Sequence, residues 1–308
     1  MRYLVVLAII ACGCAGPSTK VVEPPVRAEA PPGPPEAAAP AERVVPLAGG
    51  ANALLWDAAS STLYLTDNNT SSLLAWTEAG GIRTIGALPA QSAGVSLGGV
   101  VRRGDGTTVV ANFGFGSQGG LFVMAADHTV TTLTGLDATR RRVGLSQDGS
   151  GAIYSAYFVG DRGKAAVGGV STVAIDGKAA SETEIAGAST SAGFGKVIGI
   201  VATPTALFVA DQTQKAIWKL AVPGYAVSRV ASVPAADLLA ILPDGDLLTG
   251  GGPAISRITQ AGQVSVLATG FEQVRGLAYD PAGQRLFVID HSLTVGVPDK
   301  LRIQRLAR

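Results

Sequence analysis

The stretch Leu63-Tyr64-Leu65-Thr66-Asp67 is a short apolar run that ends on a carboxylate, and the chain contains six versions of it. In each repeat, this run is preceded by an apolar run that begins with a small residue and by a tight turn. A third and a fourth strand-like run follow it. The spacing of about 40 to 55 residues is typical of a four-stranded propeller blade. The other versions are Val109-Val110-Ala111-Asn112, Ile153-Tyr154-Ser155-Ala156-Tyr157, Leu207-Phe208-Val209-Ala210-Asp211, Leu247-Leu248-Thr249-Gly250-Gly251 and Leu286-Phe287-Val288-Ile289-Asp290.

The sixth repeat stops one strand short, and a spare strand at residues 43–48 precedes the first repeat. An open ring would leave an unpaired sheet edge. The pattern therefore predicts an all-β, six-bladed β-propeller over residues 43–308, in which the 43–48 strand completes the last blade. Trp76 and Trp218 fall at similar positions of two third strands, and we expect them to pack between blades.

The composition favours a large globular core. Apolar residues make up 47% of the 308 residues, and charged residues make up 15%. The net charge of +1 and the lack of a basic stripe argue against nucleic acid as a partner. No apolar stretch reaches the roughly 18 residues of a membrane span. We expect a monomer.

The N-terminus has the features of an export signal. Arg2 precedes an apolar run from Tyr3 to Ile10. The sequence Ile9-Ile10-Ala11-Cys12 resembles a bacterial lipobox, which implies a signal peptide over residues 1–11 and lipidation of Cys12. Gly13 at the next position favours the outer membrane, facing the periplasm or the cell surface. A conventional signal peptide is the alternative.

Residues 12–42 carry the expected lipidated cysteine and then a segment rich in proline and alanine. Such a segment favours extended polyproline geometry and buries too little apolar surface to fold. We interpret it as a tether to the membrane; recruitment of a partner is the alternative. Because Cys12 and Cys14 are the chain's two cysteines, the predicted propeller has no disulfide.

One opening of the propeller channel is the expected binding face, because first strands begin there and second strands end there. Alignment of the repeats places one residue of each first strand at this mouth: Asn52, Gly98, Arg142, Ile198, Asp237 and Arg275. The ends of the second strands add Asp67, Asn112, Tyr157, Asp211, Asp290 and His291.

Two further phrases, Ala53-Leu54-Leu55-Trp56-Asp57 and Gly276-Leu277-Ala278-Tyr279-Asp280-Pro281, carry a family resemblance. With the second-strand runs, they resemble the senescence marker protein, gluconolactonase and strictosidine synthase group of six-bladed propellers with NHL-like repeats. Lactonases of that group hold a divalent metal through Glu, Asn and Asp at the starts of first strands. The resemblance places these ligands at Asn52, Ile198 and Asp237, and the hydrocarbon side chain of Ile198 cannot bind a metal.

The two arginines predicted at the mouth, Arg142 and Arg275, also oppose a bound dication. Guanidinium groups instead bind carboxylates or phosphates. We therefore predict a binding module without a cofactor, whose mouth holds a small anionic or hydroxylated ligand or a protein. Asn52, Arg142, Asp237 and Arg275 are the first candidates for contact, and Asn112, Asp211 and Asp290 are further candidates. Alternatively, Asp237 simply pairs with the arginines.

The second functional hypothesis is a gluconolactonase-like lactone or ester hydrolase with an altered metal site, for which calcium would be the metal. It rests on the fold resemblance and on Asp237 and His291 as candidate catalytic residues. A histidine beside Asp290 at the mouth could act as a general base. A lone histidine at a strand end is more often structural, and the sequence leaves both roles open.

Overall fold

Twenty-four β-strands form the described part of the computed structural model, which covers residues 43–89, 97–114, 117–160, 165–187 and 193–306. These residues contain no α-helix, and therefore no helix that could span a membrane. The strands are β1 (Arg43–Pro46), β2 (Ala51–Asp57), β3 (Thr62–Asp67), β4 (Ser72–Thr77), β5 (Gly81–Ala87), β6 (Leu97–Arg102), β7 (Thr108–Asn112), β8 (Gly120–Met124), β9 (Val130–Thr132), β10 (Arg141–Gln147), β11 (Ile153–Val159), β12 (Val167–Asp176), β13 (Ala179–Ala186), β14 (Val197–Ala202), β15 (Ala206–Asp211), β16 (Ala216–Ala221), β17 (Ala226–Ser232), β18 (Leu239–Ile241), β19 (Leu247–Thr249), β20 (Ala254–Ile258), β21 (Val264–Thr269), β22 (Val274–Asp280), β23 (Arg285–Asp290) and β24 (Lys300–Arg305).

The strands form six antiparallel sheets of four strands each, which are the six blades of a β-propeller. Blades 1 to 5 use consecutive strands, β2–β5, β6–β9, β10–β13, β14–β17 and β18–β21. Blade 6 has the order β22-β23-β24-β1, so the N-terminal strand supplies its fourth member. The prediction of an all-β, six-bladed propeller is confirmed. We call the face where the inner strands begin the top face, and its central opening the mouth.

The ring closes as the sequence predicts. β1 pairs antiparallel with β24, from Arg43 opposite Ile303 to Pro46 opposite Lys300. The strand ends at Pro46, two residues earlier than expected, and the Leu47 N–H then donates to the Asp299 carbonyl over 2.9 Å. The antiparallel pairing starts β1 on the bottom face. The predicted signal peptide, Cys12 and the tether lie outside the described residues.

The core lies between neighbouring blades. Trp76 of blade 1 is fully buried and meets Phe287 of blade 6 edge to face, with 5.4 Å between ring centroids. Trp218 of blade 4 packs in the same way on Phe194, at 5.8 Å, beside a cluster shared by blades 3 and 4. The predicted packing role of both tryptophans is confirmed. Such aromatic contacts stabilise a core beyond the area they bury.

The inner strands approach one another closely around the channel. A Cβ atom on Gly144 of β10 would lie 2.7 Å from the Ile198 carbonyl oxygen of β14. One on Gly199 of β14 would lie 2.4 Å from the Asp237 carbonyl oxygen. Glycine is therefore required at both positions, because any side chain would push adjacent blades apart. These contacts fix the position of the residues that precede each glycine, at the mouth.

Candidate functional site

Five of the six inner strands carry a β-bulge near their first residues, where the inner strand has one residue more than the second strand that it pairs with. In β10 the pairing jumps from Arg142 opposite Tyr157 to Gly144 opposite Ala156 and leaves Val143 unpaired. In β14 Ile198 is the unpaired residue. A bulge redirects a side chain without changing the sequence pattern. It therefore decides which residue of each blade reaches the channel.

An apolar cluster, which we call the plug, lies near the starts of the inner strands. Its members come from blades 1, 3, 4 and 5 and are all buried. Phe113 packs on its side and meets Phe158 edge to face, with 5.6 Å between ring centroids. The plug residues are Ala53, Val143, Phe158, Ile198 and Leu238.

A charged group, which we call the charged cluster, lies next to the plug and consists of Lys196, Asp237 and Arg275. Lys196 immediately precedes β14, Asp237 precedes the plug residue Leu238, and Arg275 lies in the bulge of β22. The side chains are close enough for both cations to favour the ionised carboxylate of Asp237. The predicted positions of Asp237 and Arg275 at one mouth are thus consistent with the structure.

Asp237 is held by backbone and side-chain contacts. Its carboxylate Oδ1 accepts the Leu238 N–H at 2.9 Å, and its own N–H donates to Thr249 Oγ1 at 3.1 Å. Part of the residue remains accessible to solvent, yet protein atoms surround the carboxylate closely. This desolvation raises the pKa of Asp237 to about 6, against the opposing effects of the Leu238 N–H, Arg275 and Lys196.

Lys196 is fixed above an aromatic ring. Its Nζ donates to Gln212 Oε1 at 2.7 Å and lies 5.4 Å from the centroid of the Phe158 ring. Burial lowers the pKa of Lys196, Asp237 raises it, and Arg141 and Arg275 lower it further. The ammonium group thus occupies a site in which its charge is only partly compensated.

Lys196 and Arg275 affect the pKa of Asp237 but form no ion pair with it. All three residues belong to the described part of the chain, and no nitrogen of Lys196 or Arg275 lies within 4.0 Å of the Asp237 carboxylate. The prediction that Asp237 simply pairs with arginine across the channel is therefore not met by direct contact.

Arg142 does not belong to this cluster, and its predicted position at the mouth is wrong. The side chain is fully buried and its guanidinium donates to Glu182 on β13, the outer strand of the same blade. It also donates to the Asp137 and Arg140 carbonyls, at 3.0 and 3.1 Å. The β10 bulge makes Val143, one residue later, the one that enters the channel.

Two residues that the sequence analysis missed lie near the mouth. Lys196 was not found because it precedes β14, whereas the alignment considered only residues within the first strands. Arg141 precedes Arg142 and lies over the Phe113 and Phe158 rings, at 5.8 Å from both centroids. The run Arg140-Arg141-Arg142 indicates positive charge near the mouth, but only the β10 bulge decides which of the three arginines lies there.

The other predicted contact residues hold turns of the top face. Asn52 donates its amide to the Leu97 carbonyl at 2.7 Å, and Asn112 donates to Gln118 O at 2.8 Å. Asp211 and Asp290 are buried and accept backbone N–H groups from the segments that lead into their own blades. Neither carboxylate is among the charges that act on Asp237 or Lys196. The structure thus gives these four residues anchoring contacts.

His291 lies at the rim of blade 6, beside a cleft of about 510 Å³. Its Nδ1 is 2.8 Å from Oδ1 of the buried Asp299, which also accepts the Ser292 N–H. This carboxylate orients the ring through Nδ1. His291 is not one of the charged groups that shift the pKa of Asp237. The two candidate catalytic residues therefore do not form one site.

Comparisons with solved structures give the same architecture. A gluconolactonase from Xanthomonas campestris matches with a TM-score of 0.66 and 19% identity, over 88% of this chain and 98% of that chain. A calcium-binding regucalcin from Agrobacterium tumefaciens matches with a TM-score of 0.64 and 16% identity, over 85% and 93%. The fold is that of the gluconolactonase and regucalcin propellers.

The same fold also carries other chemistry. A virginiamycin B lyase from Staphylococcus aureus matches with a TM-score of 0.58 and 12% identity, over 86% of this chain and 99% of that chain. No family model matches the sequence, and no curated protein matches it. Since one propeller fold supports several activities, the function has to be argued from the site.

The metal site of gluconolactonase-type propellers does not fit the residues of this mouth. Of the three equivalent positions, Ile198 offers only hydrocarbon and lies in the plug. Asn52 and Asp237 leave at most three side-chain oxygen atoms, whereas calcium takes six to eight oxygens. The described residues contain no group of three His, Cys, Asp or Glu side chains that could hold a metal. Lys196 and Arg275 place positive charge where a dication would lie.

Proposed function

We propose that the mouth binds a small carboxylate-bearing or hydroxylated ligand, with a sugar acid or its lactone as the leading class. The observation that carries this proposal is the separation of Lys196 and Arg275 from Asp237. Lys196 and Asp237 are each held by a hydrogen bond of their own, and neither forms an ion pair with the other or with Arg275; two cations beside one carboxylate match a ligand with one acidic group and neighbouring hydroxyl groups.

The ligand class is supported by the kind of recognition that each group allows. A guanidinium and an ammonium bind a carboxylate through charge-assisted hydrogen bonds. The carboxylate of Asp237 accepts hydrogen bonds from hydroxyl groups. Phe158 and Ile198 of the plug give the ligand an apolar floor. The gluconolactonase among the structural neighbours supports a lactone or its acid as the first compounds to test.

Isothermal titration calorimetry with gluconate tests the proposal. We expect binding by the native protein and a loss of at least about tenfold in affinity for Arg275→Met, since a charge-assisted bond contributes about 1.5–3 kcal/mol. Arg229→Met is the matched control, because Arg229 lies on β17, far along blade 4 from the mouth, and contacts Trp218. Equal affinity of the two variants, or no heat with gluconate and other sugar acids, would contradict the proposal.

Hydrolysis of a lactone or ester is the second candidate function. It is supported by the gluconolactonase fold and by Asp237, whose raised pKa is that of a base for neutral pH. The divalent ion that this activity uses in the resembling family has no fitting donor set here. If hydrolysis occurs at this mouth, the residues present have to supply the positive charge themselves.

We also propose that the propeller is attached to a membrane through lipid on Cys12. The support comes from the lipobox-like sequence and from β1, which begins on the bottom face while the mouth opens on the top face. Radiolabelled palmitate should be incorporated by the native protein and not by Cys12→Ser, with Cys14→Ser as the matched control. Label on both cysteine variants would refute lipidation at Cys12.

A further inference from the structure

We propose that a cleft on the bottom face, away from the mouth, binds a phosphate group. The cleft has a volume of about 450 Å³ and lies where blade 6 meets blade 1. We call it the arginine cleft, because the charged residues that line it are Arg43, Arg285, Arg305 and Glu78. None of these residues belongs to the charged cluster, so the proposal goes beyond the ligand proposed for the mouth.

The topology of the blades brings these residues to the bottom face. Arg43 and Arg285 are the first residues of β1 and β23, and Arg305 is the last residue of β24. Glu78 directly follows β4. Because neighbouring strands of a blade are antiparallel, all four of these strand ends lie at the bottom. Three guanidinium groups from distant parts of the sequence thus meet beside the strand that closes the ring.

Arg285 is fixed in position by the protein itself. Its Nε and Nη2 both donate to Oδ2 of the buried Asp280, at 3.0 and 2.8 Å. Its guanidinium carbon lies 5.6 Å from the centroids of the Trp56 and Phe287 rings. Its Nη1 donates to Glu78 Oε2 at 2.6 Å. A guanidinium held in this way loses little conformational entropy when it binds an anion.

The Glu78 carboxylate shows that an anion fits between two of the arginines. Its Oε1 accepts from Arg43 Nη1 at 3.2 Å, and its Oε2 accepts from Arg285 Nη1. The Glu78 side chain is 65% exposed, and ion pairs with such exposure contribute little to stability. A more highly charged anion from solution can therefore replace the carboxylate at small cost.

A phosphate monoester suits this set of donors better than a carboxylate does. It carries a charge of about −1.5 to −2 at neutral pH and presents three acceptor oxygens. A carboxylate carries one charge and presents two oxygens. Guanidinium groups bind phosphate oxygens in pairs of parallel hydrogen bonds. Three guanidinium groups along one cleft match the charge and the oxygen atoms of a phosphate group.

The position of the cleft favours the headgroup of an anionic lipid as the source of the phosphate. β1 begins at Arg43, so the segment that leads from the proposed lipid on Cys12 enters the propeller at the cleft. An acyl chain and a basic site together hold a protein at a membrane more firmly than an acyl chain alone. Other turns of the bottom face carry exposed carboxylates, such as Asp105 and Asp127. Lipid binding should therefore depend on this cleft and not on a generally basic face.

Isothermal titration calorimetry of the full chain with glycerol 3-phosphate, in a buffer without phosphate, tests the site. We expect binding that Arg43→Met weakens by about three- to tenfold, since it removes a charge-assisted bond at an exposed position. Glu78→Gln should raise the affinity by up to about fivefold, because it removes the competing carboxylate. Arg83→Met is the matched control, since Arg83 is exposed on β5 of blade 1 and does not line the cleft.

Flotation with phosphatidylcholine vesicles, with and without phosphatidic acid, distinguishes a lipid headgroup from a free phosphate ester. The readout is the difference between the two kinds of vesicle, because attachment through the N-terminus is common to both. A preference for phosphatidic acid that Arg43→Met removes and Arg83→Met retains would assign the lipid headgroup. Equal flotation on both, with calorimetric binding of glycerol 3-phosphate, would assign a free phosphate ester. Should Arg43→Met not fold, Arg305→Met, at the exposed end of β24, takes its place.

Three results would overturn the proposal. The first is no heat with glycerol 3-phosphate together with equal flotation on both kinds of vesicle. The second is an equal effect of Arg43→Met and Arg83→Met on phosphate affinity. The third is weaker phosphate binding by Glu78→Gln, which would show that the carboxylate positions the arginines and does not compete for them. Each of these results leaves gluconate binding at the mouth as a separate question.

Discussion

Replacing Asp237 by asparagine should stabilise the propeller at neutral pH and have little effect under acidic conditions. The structure gives the reason. Desolvation raises the pKa of Asp237 from its ordinary value of 3.8 to about 6, so the folded protein keeps this carboxyl group protonated over a range in which the unfolded chain has already lost the proton. Between these values the folded state binds more protons than the unfolded state, and the free energy of unfolding falls as the pH rises.

The magnitude follows from the two pKa values. A difference of about two pH units corresponds to about 3 kcal/mol, fully lost once the pH exceeds about 6. Asparagine cannot ionise and retains an oxygen for the Leu238 N–H. We therefore expect the variant to exceed the native protein in stability by up to about 3 kcal/mol at pH 7.5, and by less than about 1 kcal/mol at pH 4.

Urea unfolding of both proteins at pH 4 and pH 7.5, followed by tryptophan fluorescence, measures the difference. Asp105→Asn is the matched control, because hydrogen bonds from Thr107 lower the pKa of Asp105. Its replacement should remove stability as the pH rises above that lowered pKa, which is the opposite sign. A pH-independent effect of Asp237→Asn would refute the assignment of a desolvated, uncompensated carboxylate and would weaken the proposed base.

Three further outcomes test the scaffold. Deleting residues 43–48 should lower the melting temperature strongly, since β1 seals blade 6, whereas deleting residues 15–40 should leave it unchanged; equal shifts in calorimetry would contradict closure. Arg142→Met should cost about 1.5–3 kcal/mol in urea unfolding, because it removes a charge-assisted bond to Glu182, which keeps its ion pair with Arg140, and it should leave gluconate affinity unchanged in the folded fraction. Glu78→Gln, which loses exposed ion pairs to two arginines, should lower the free energy of unfolding by no more than about 1 kcal/mol. A larger loss would show that these ion pairs stabilise the closure of the ring.

The sequence predicts the blades well because a strand needs only local information. Runs such as Leu63-Tyr64-Leu65 alternate and end at tight turns, and each repeat supplies the same pattern, so six weak signals reinforce one another. The role of β1 also follows from the sequence, because the last repeat lacks one strand. Trp76 and Trp218 fall at equivalent repeat positions, and their burial follows from that equivalence.

The candidate site could be predicted only in part. Asp237 and Arg275 could be placed at the mouth by alignment, because each repeat begins there. Alignment places Arg142 at the mouth because it treats a strand as regular, whereas the β10 bulge inserts Val143 and Arg142 pairs with Glu182. Lys196 lies before its strand, and nothing in its immediate neighbours indicates that it will reach Asp237 of another blade.

The sequence by itself determined the number of blades, the closure by the N-terminal strand and the hydrocarbon side chain at Ile198, because each depends on residue type and spacing along the chain. Tertiary structure alone decided that Lys196, Asp237 and Arg275 share one mouth without forming ion pairs, above a plug of apolar side chains. The physical reason is the close approach of the inner strands. Bulges and glycines set that approach, and it determines which side chain of each blade enters the channel.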